Sequence, residues 1–125
     1  MSAKHDDWAR LQEIYDVVRE TRIQMGQIGF TKERFLDPEN AQDDLISEGL
    51  MNRVFRVTEE AGHLSDEVAR RYGFDRQGVL GVRNRLAHAY GEVDREIIWS
   101  VIEEDFDELL DACRRYCADN NIELE

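Results

Sequence analysis

Residues Glu39–Leu64 read ENAQDDLISEGLMNRVFRVTEEAGHL, and the spacing of their apolar positions decides the fold class. Ile46, Leu50, Val54, Val57, Ala61 and Leu64 follow one another at steps of four, four, three, four and three. On an α-helix, residues three and four apart are neighbours, so these six side chains form one apolar stripe. A half-buried strand needs alternation with a period of two, and no stretch of the chain offers a convincing run of it. The segment predicts a long amphipathic helix from about Glu39 to His63. Pro38, the only proline, suits the first turn of that helix, where its missing N–H costs nothing.

The same period extends in both directions. Toward the N-terminus, Trp8, Leu11, Tyr15, Val18 and Met25 make a stripe over about Asp6–Ile28, with Asp6 or Asp7 as a cap and Gly29-Phe30-Thr31 as the exit. Thr31–Leu36 fits one short helical turn, interrupted by Asp37-Pro38. Toward the C-terminus, Ser65 is an N-cap for a short helix through Tyr72, and Gly73 sits where a helix stops. Val79, Val82, Leu86 and Tyr90 share a stripe, which predicts a helix over about Gln77–Tyr90 ended by Gly91. Asp94 caps a last long segment carrying Ile98, Val101, Phe106, Leu109, Cys113 and Tyr116. That segment is one helix, or two joined near Glu103–Asp105. The expected fold is all-α: an antiparallel bundle of four to five helices in a single domain spanning residues 1–125.

Composition sets the chemical frame. The chain of 125 residues is 42% hydrophobic, enough for a packed core, and 35% charged, which suits helices with one solvated face. Cys113 and Cys117 stand four apart on a helix, which is no disulfide framework, and they read as small core residues. The polar stretch Met1–Arg10 has no apolar leader core, and no window approaches the roughly 18 apolar residues of a membrane span. A cytoplasmic protein with no membrane partner is expected.

The net charge of −12 opposes nonspecific binding to nucleic acid. It is unevenly spread, however. Between Arg70 and Arg95 six arginines face three acids, so this window carries +3 and the rest of the chain −15. Inside that basic island lies VRNRLAHAYGEVD, Val82–Asp94. Arginine keeps its charge and grips two phosphate oxygens at once. Histidine titrates near neutrality and can move a proton. Asparagine can donate to a phosphate or hold an imidazole in one orientation.

At 100° per residue, Asn84 and His88 lie on one face, one turn apart. Arg83 and His88 lie about 140° apart around the axis and do not converge on one atom. Either the long arginine wraps around the helix, or a second copy completes the site. The second arrangement predicts a symmetric homodimer. His88 near a helix C-terminus could instead satisfy the dipole there. Tyr90 could be an aromatic plug, and Arg83 an ion-pair partner.

The run Arg83-x4-His88-x-Tyr90, with a polar residue at Asn84, resembles the R-x4-H-x-Y motif of the HepT-like branch of HEPN proteins. Leu50–Leu64, with its Glu60-Ala61 pair, looks like that family's second-helix segment. Val93-Asp94 followed by Ile97-Ile98-Trp99 resembles its helix start after the motif. The resemblance covers about Asp6–Ala118, with Gly62-His63 as a departure that touches no motif residue.

The resemblance implies a HEPN-like fold and a homodimeric, metal-independent endoribonuclease acting as the toxin of a type VII toxin–antitoxin system. Its partner would be a nucleotidyltransferase antitoxin of the MNT type, which transfers AMP from ATP to the motif tyrosine, here Tyr90. RNA would lie between two copies of the motif helix. The RNA's own 2′-hydroxyl would attack the adjacent phosphate. His88 would move the proton, Arg83 would stabilise charge on the phosphorane, and Asn84 would orient His88 or the phosphate. Arg76 and Arg85, from the basic island, would bind RNA. No cofactor and no metal are called for. A non-catalytic HEPN subunit that presents RNA or nucleotide to a partner enzyme is the alternative, favoured by the acidic balance. A purely structural helical dimer would leave the basic island unexplained.

Other signals read as structure. Cys113 and Cys117 with His5 or His63 lack the second pair that a zinc site needs. Glu103, Glu104, Asp105, Asp107, Glu108 and Asp111 read as a solvated helix face, and could meet a basic partner. Trp8 and Trp99 read as core or dimer-interface anchors. No glycine-rich phosphate loop is present.

Overall fold

The computed structural model describes residues 3–75 and 94–123, with residues 3–5 as backbone only. The helix expected at Gln77–Tyr90 and its stop at Gly91 lie outside the described residues. What is described is all-helical. Helix α1 spans Ala3–Ile28, α2 Lys32–Leu36, α3 Ala41–Gly62 and α4 Asp66–Tyr72. Beyond Asp94, α5 covers Arg95–Ser100, a π turn covers Val101–Asp105, and α6 covers Phe106–Asn120.

The ends of these helices follow local chemistry. Thr31, Asn40, Ser65 and Asp94 each cap a helix by accepting from a backbone N–H of its first turn. Such caps contribute about 1 kcal/mol each. Gly29 and Gly73 take positive φ, 61° and 83°, where a side chain would be strained, and there α1 and α4 stop. Two expectations need correcting. Asp6 and Asp7 do not cap α1, which starts earlier, at Ala3. Pro38 is not in the first turn of α3, because Asn40 supplies the cap and Pro38 precedes it.

Cross-links along α1 fix the topology. Arg10 meets Glu60 at 3.0 Å, Glu13 meets Arg56 at 2.8 Å, and Thr21 meets Arg53 at 3.3 Å. Rising numbers on α1 match falling numbers on α3, so the two are antiparallel. On another side of α1, the Cys113 thiol points to the Leu11 carbonyl and Arg22 pairs with Asp107, so α6 is antiparallel to α1 as well.

Two flanking helices widen the buried arc of α1. Leu11, Ile14, Val18 and Thr21 are fully buried, while Trp8, Tyr15 and Met25, expected on the core stripe, are half-buried at its margins. The stripe of α3 holds better. Leu50, Val54, Val57, Ala61 and Leu64 are all buried, with Ile46 packed at the edge.

The choice between one C-terminal helix and two resolves into a continuous run interrupted by the π turn. Val101 and Phe106, five apart, are both fully buried. On an α-helix a step of five leaves the second side chain about 140° off the first. The π turn absorbs the extra residue, with the Phe106 N–H donating to the Val101 carbonyl. Arg22 then donates to the Ile102 carbonyl at 3.4 Å, satisfying an oxygen on the widened turn.

Short α2 is bound on both sides. Arg34 clasps the Asp43 carboxylate, with Nη2 to Oδ1 at 2.7 Å, and its guanidinium lies 4.8 Å from the Phe30 ring. Asp43 is buried, and this contact holds its carboxyl below the usual carboxylate range. Phe35, fully buried, packs on Trp99 with ring centroids 5.5 Å apart, so Trp99 is a core anchor.

Candidate active site

All six residues singled out for RNA chemistry, Arg76, Arg83, Asn84, Arg85, His88 and Tyr90, lie outside the described residues. What the structure shows is how the chain on either side of them is held.

On the N-terminal side stands α4, locked from within the bundle. Asp7, one of the few buried acids, accepts from the Ser65 N–H at 2.8 Å and from the Ser65 hydroxyl at 2.7 Å. The same hydroxyl accepts from the Val68 N–H and caps α4. At the other end of α4, Gly73 turns the chain and the Phe74 N–H returns to the Ala69 carbonyl at 2.8 Å. That turn drops the Phe74 ring into the core, where it is fully buried.

Tyr72 is fastened to α6. Its hydroxyl donates to Asp119 at 2.7 Å, its ring meets Tyr116 edge-on at 5.6 Å, and Arg115 reaches its carbonyl at 3.4 Å. Burial, reinforced by the Asp119 contact, raises the Tyr72 pKa, so its phenol stays protonated as the donor.

On the C-terminal side the chain is caught at Asp94 and Arg95. Asp94 caps α5 by accepting from the Glu96 N–H at 2.9 Å. Arg95 donates to the Phe35 carbonyl at the end of α2 at 2.8 Å and lies 5.8 Å from the Phe35 ring. Lys32 of α2 pairs with Glu96 at 3.2 Å. One arginine of the basic island, Arg95, is thus engaged with α2. Arg70 and Arg71, also in the island, make long surface pairs with Asp66 and Asp119, at 3.9 and 3.8 Å, and the Arg71 guanidinium lies 5.7 Å from the Tyr72 ring.

A cleft of about 320 Å³ opens where α4 ends, between Tyr72, Gly73 and Phe74 on one wall and α6 on the other. Its α6 wall carries Asp107, Glu108 and Asp111, part of the solvated acidic face expected there, and Arg115. That wall opposes a polyanion, so an RNA path would have to be carried by the basic residues of the island.

Among the described residues no group of three or more His, Cys, Asp or Glu is placed to hold a metal ion. His63 instead meets Glu59, one turn back on the surface, at 2.9 Å. Cys113 and Cys117 are buried free thiols, as expected of core residues. Burial pushes the Cys113 thiol up to about 12. No described helix is long and apolar enough to cross a membrane.

The spacing of residues did not reveal Asp7 as the holder of Ser65, because the two are 58 positions apart and nothing local links them. The π turn did leave a trace, in the five-residue step from Val101 to Phe106.

Residues 12–116 match the family model described as Ribonuclease HepT-like. The matched stretch includes Arg83–Tyr90. No curated protein and no solved structure matches the chain.

Proposed function

Because the chain belongs to the HepT-like ribonuclease family, we propose that it is a metal-independent endoribonuclease toxin whose chemistry rests on Arg83, Asn84 and His88. The observation that carries this reading is the complete Arg83-x4-His88-x-Tyr90 run inside the matched stretch, set in the basic window of an acidic chain. The chain is seated on both sides of the run, by the buried Phe74 and by Arg95 on α2.

The reaction proposed is transesterification. The 2′-hydroxyl of RNA attacks the adjacent phosphorus, and His88 takes or relays its proton. Arg83 stabilises the charge that builds on the phosphorane oxygens. The bond to the 5′-oxygen breaks, that oxygen is protonated, and the products are a 2′,3′-cyclic phosphate and a 5′-hydroxyl. Arg76 and Arg85 hold neighbouring phosphates. Two copies of the chain pool their motif helices around one phosphodiester, so the active form is a homodimer.

Neutralisation by an MNT-type nucleotidyltransferase belongs to the same proposal, as a type VII toxin–antitoxin pair. The Tyr90 phenol oxygen attacks the α-phosphorus of ATP, AMP becomes attached and pyrophosphate leaves. The added bulk and negative charge oppose RNA entry.

The test is cleavage of RNA by purified protein in excess chelator. Wild type should cut, and Arg83→Ala and His88→Ala should each be slower by about 100-fold or more. Equal rates for His88→Ala and wild type would remove the mechanism. The net charge of −12 favours one other reading, a non-catalytic subunit that presents RNA or nucleotide to a partner enzyme. RNA binding without any cleavage by wild type would favour it.

A further inference from the structure

A groove of about 360 Å³ runs between the C-terminal half of α1 and the middle of α3. Met25 and Ile28 from α1, with Ile46 and Leu50 from α3, make it apolar. Leu50 is buried, whereas Ile28 stands 50% exposed. The chain has 28 acidic residues, yet none of the described ones lines this groove. The one charged side chain among its described lining residues is Arg53.

Arg53 is half-buried and its partners are neutral. Its Nη1 donates to the Thr21 hydroxyl at 3.3 Å and to the Gln24 side-chain oxygen. Thr21 is fully buried, and its own hydroxyl is fixed by donating to the Val17 carbonyl at 2.6 Å. The acids on the adjoining surface are engaged elsewhere: Glu13 pairs with Arg56 at 2.8 Å, and Asp16 accepts from Gln12 at 3.0 Å. Both bonds of Arg53 leave from Nη1, so its Nε–Nη2 edge meets no acceptor among the described residues. That edge is the fork on which a guanidinium grips both oxygens of a carboxylate.

Gly49 also lines the groove. It lies within α3, where glycine is unfavourable, and takes no positive φ. A Cβ there would meet nothing within 4 Å. The fold does not require a glycine at this position, and its effect is to leave the groove open down to the helix backbone.

We propose that this groove binds an aliphatic carboxylate, with the hydrocarbon chain along Met25, Ile28, Ile46 and Leu50 and the anion on Arg53. Size selects a small ligand over a protein. From Thr21 to Ile28 the groove is about 10 Å long at 1.5 Å per residue, and packed helices stand about 8–10 Å apart. Its footprint is therefore on the order of 100 Å², against about 800 Å² per partner in a stable protein interface. Its volume falls within the range of about 300–1,000 Å³ usual for small-molecule sites. Charge selects the head group: an unpaired guanidinium beside apolar walls favours one negative charge on an apolar body. No residue of Arg83–Tyr90 takes part, so the proposal does not rest on the nuclease reading.

Amide NMR of the full chain, titrated with octanoate, reads both binding and place. Shifts should saturate at one ligand per chain and be largest around Thr21–Ile28 and Ile46–Arg53. Arg53→Gln should weaken octanoate by about tenfold or more and leave binding of 1-octanol unchanged, because only the anion loses its partner. Gly49→Leu fills the groove from open space with a better helix former, so it should abolish binding of both at unchanged circular dichroism. Arg83→Ala should bind octanoate as wild type does. The proposal falls if octanoate shifts nothing, or shifts scattered amides without saturating. It falls equally if Arg53→Gln binds octanoate as wild type does, or if folded Gly49→Leu still binds. Groove signals that respond to dilution of the chain and not to octanoate would give the groove to another protein chain, and would overturn it too.

Discussion

The Asp7 carboxylate reaches from the first turns of α1 to Ser65, taking its N–H at 2.8 Å and its hydroxyl at 2.7 Å. Asp7 is buried, and Ser65 starts the helix that leads into the motif. One carboxylate therefore joins the beginning of the chain to the approach of the candidate active site.

Truncating that carboxylate leaves a half-buried N–H and a hydroxyl without their acceptor. Asp7→Ala should cost about 1–3 kcal/mol in urea unfolding. Asp7→Asn should cost less, because an amide can accept from the Ser65 N–H and donate to its hydroxyl. Equal losses for the two variants would show that the position acts through shape or packing and not through these bonds.

The Arg34–Asp43 clasp makes stability depend on acid. The hydrogen bond from Arg34 is the main cause that lowers the Asp43 pKa below its ordinary 3.8. A folded-state pKa below the unfolded one contributes stability that is present above the unfolded value and lost as pH falls through the folded one. Wild type should therefore exceed Asp43→Asn in urea midpoint by a constant margin near neutral pH. The margin should shrink as pH drops below about 4. A margin that stays constant into stronger acid would assign the difference to packing.

The π turn predicts an asymmetry between deletions. Removing Glu104 turns the five-residue step from Val101 to Phe106 into a step of four, which an ordinary α-helix accommodates. The stripe through Leu109, Cys113 and Tyr116 is kept, so the loss should be no more than about 1 kcal/mol, a shift of several degrees in Tm. Removing Arg114 rotates Tyr116 and Cys117 by about 100° relative to Cys113 and pulls them off the core. That variant should lose several times as much, on the scale of about 3–5 kcal/mol for emptying core positions.

The buried thiols should be inert in the fold. With the Cys113 thiol pushed up to about 12 and Cys117 also raised by burial, little thiolate exists near neutral pH. A chromogenic disulfide reagent at mildly alkaline pH should label neither residue in native protein and both in urea. Labelling at the native state's first contact with reagent would contradict the packing of α6 on α1.

Local chemistry made much of the fold legible. Ser65, Gly73 and Asp94 mark helix ends by types that cap or stop helices, and the stripe of α3 carries its own burial pattern. What spacing could not supply was the neighbourhood. The buried arc of α1 is set by two partners, so Ile14 and Thr21 are core while Trp8 and Tyr15 only flank it. Asp7 looked like a cap because aspartate suits caps, and only its long-range contact with Ser65 gives its role. The motif was legible as chemistry, through guanidinium, imidazole and phenol at fixed intervals. Its geometry depends on residues outside the described ones and, in the proposed homodimer, on a second copy, neither of which one chain's periodicity contains.

Tyr90 offers a prediction that separates modification from catalysis. In the proposed scheme its phenol oxygen is the acceptor of AMP, whereas proton transfer belongs to His88 and charge stabilisation to Arg83. Phenylalanine keeps the ring and removes only the oxygen. Tyr90→Phe should therefore retain most RNA cleavage in chelator, within about a factor of ten, since it removes one hydroxyl contact and neither the acid–base group nor the cation. Co-expressed with a nucleotidyltransferase encoded beside it, wild type should gain the mass of AMP less water and lose cleavage. Tyr90→Phe should show neither change. An adenylyl gain that persists in Tyr90→Phe would move the acceptor to another residue, and loss of cleavage in the unmodified variant would make the phenol part of the reaction itself.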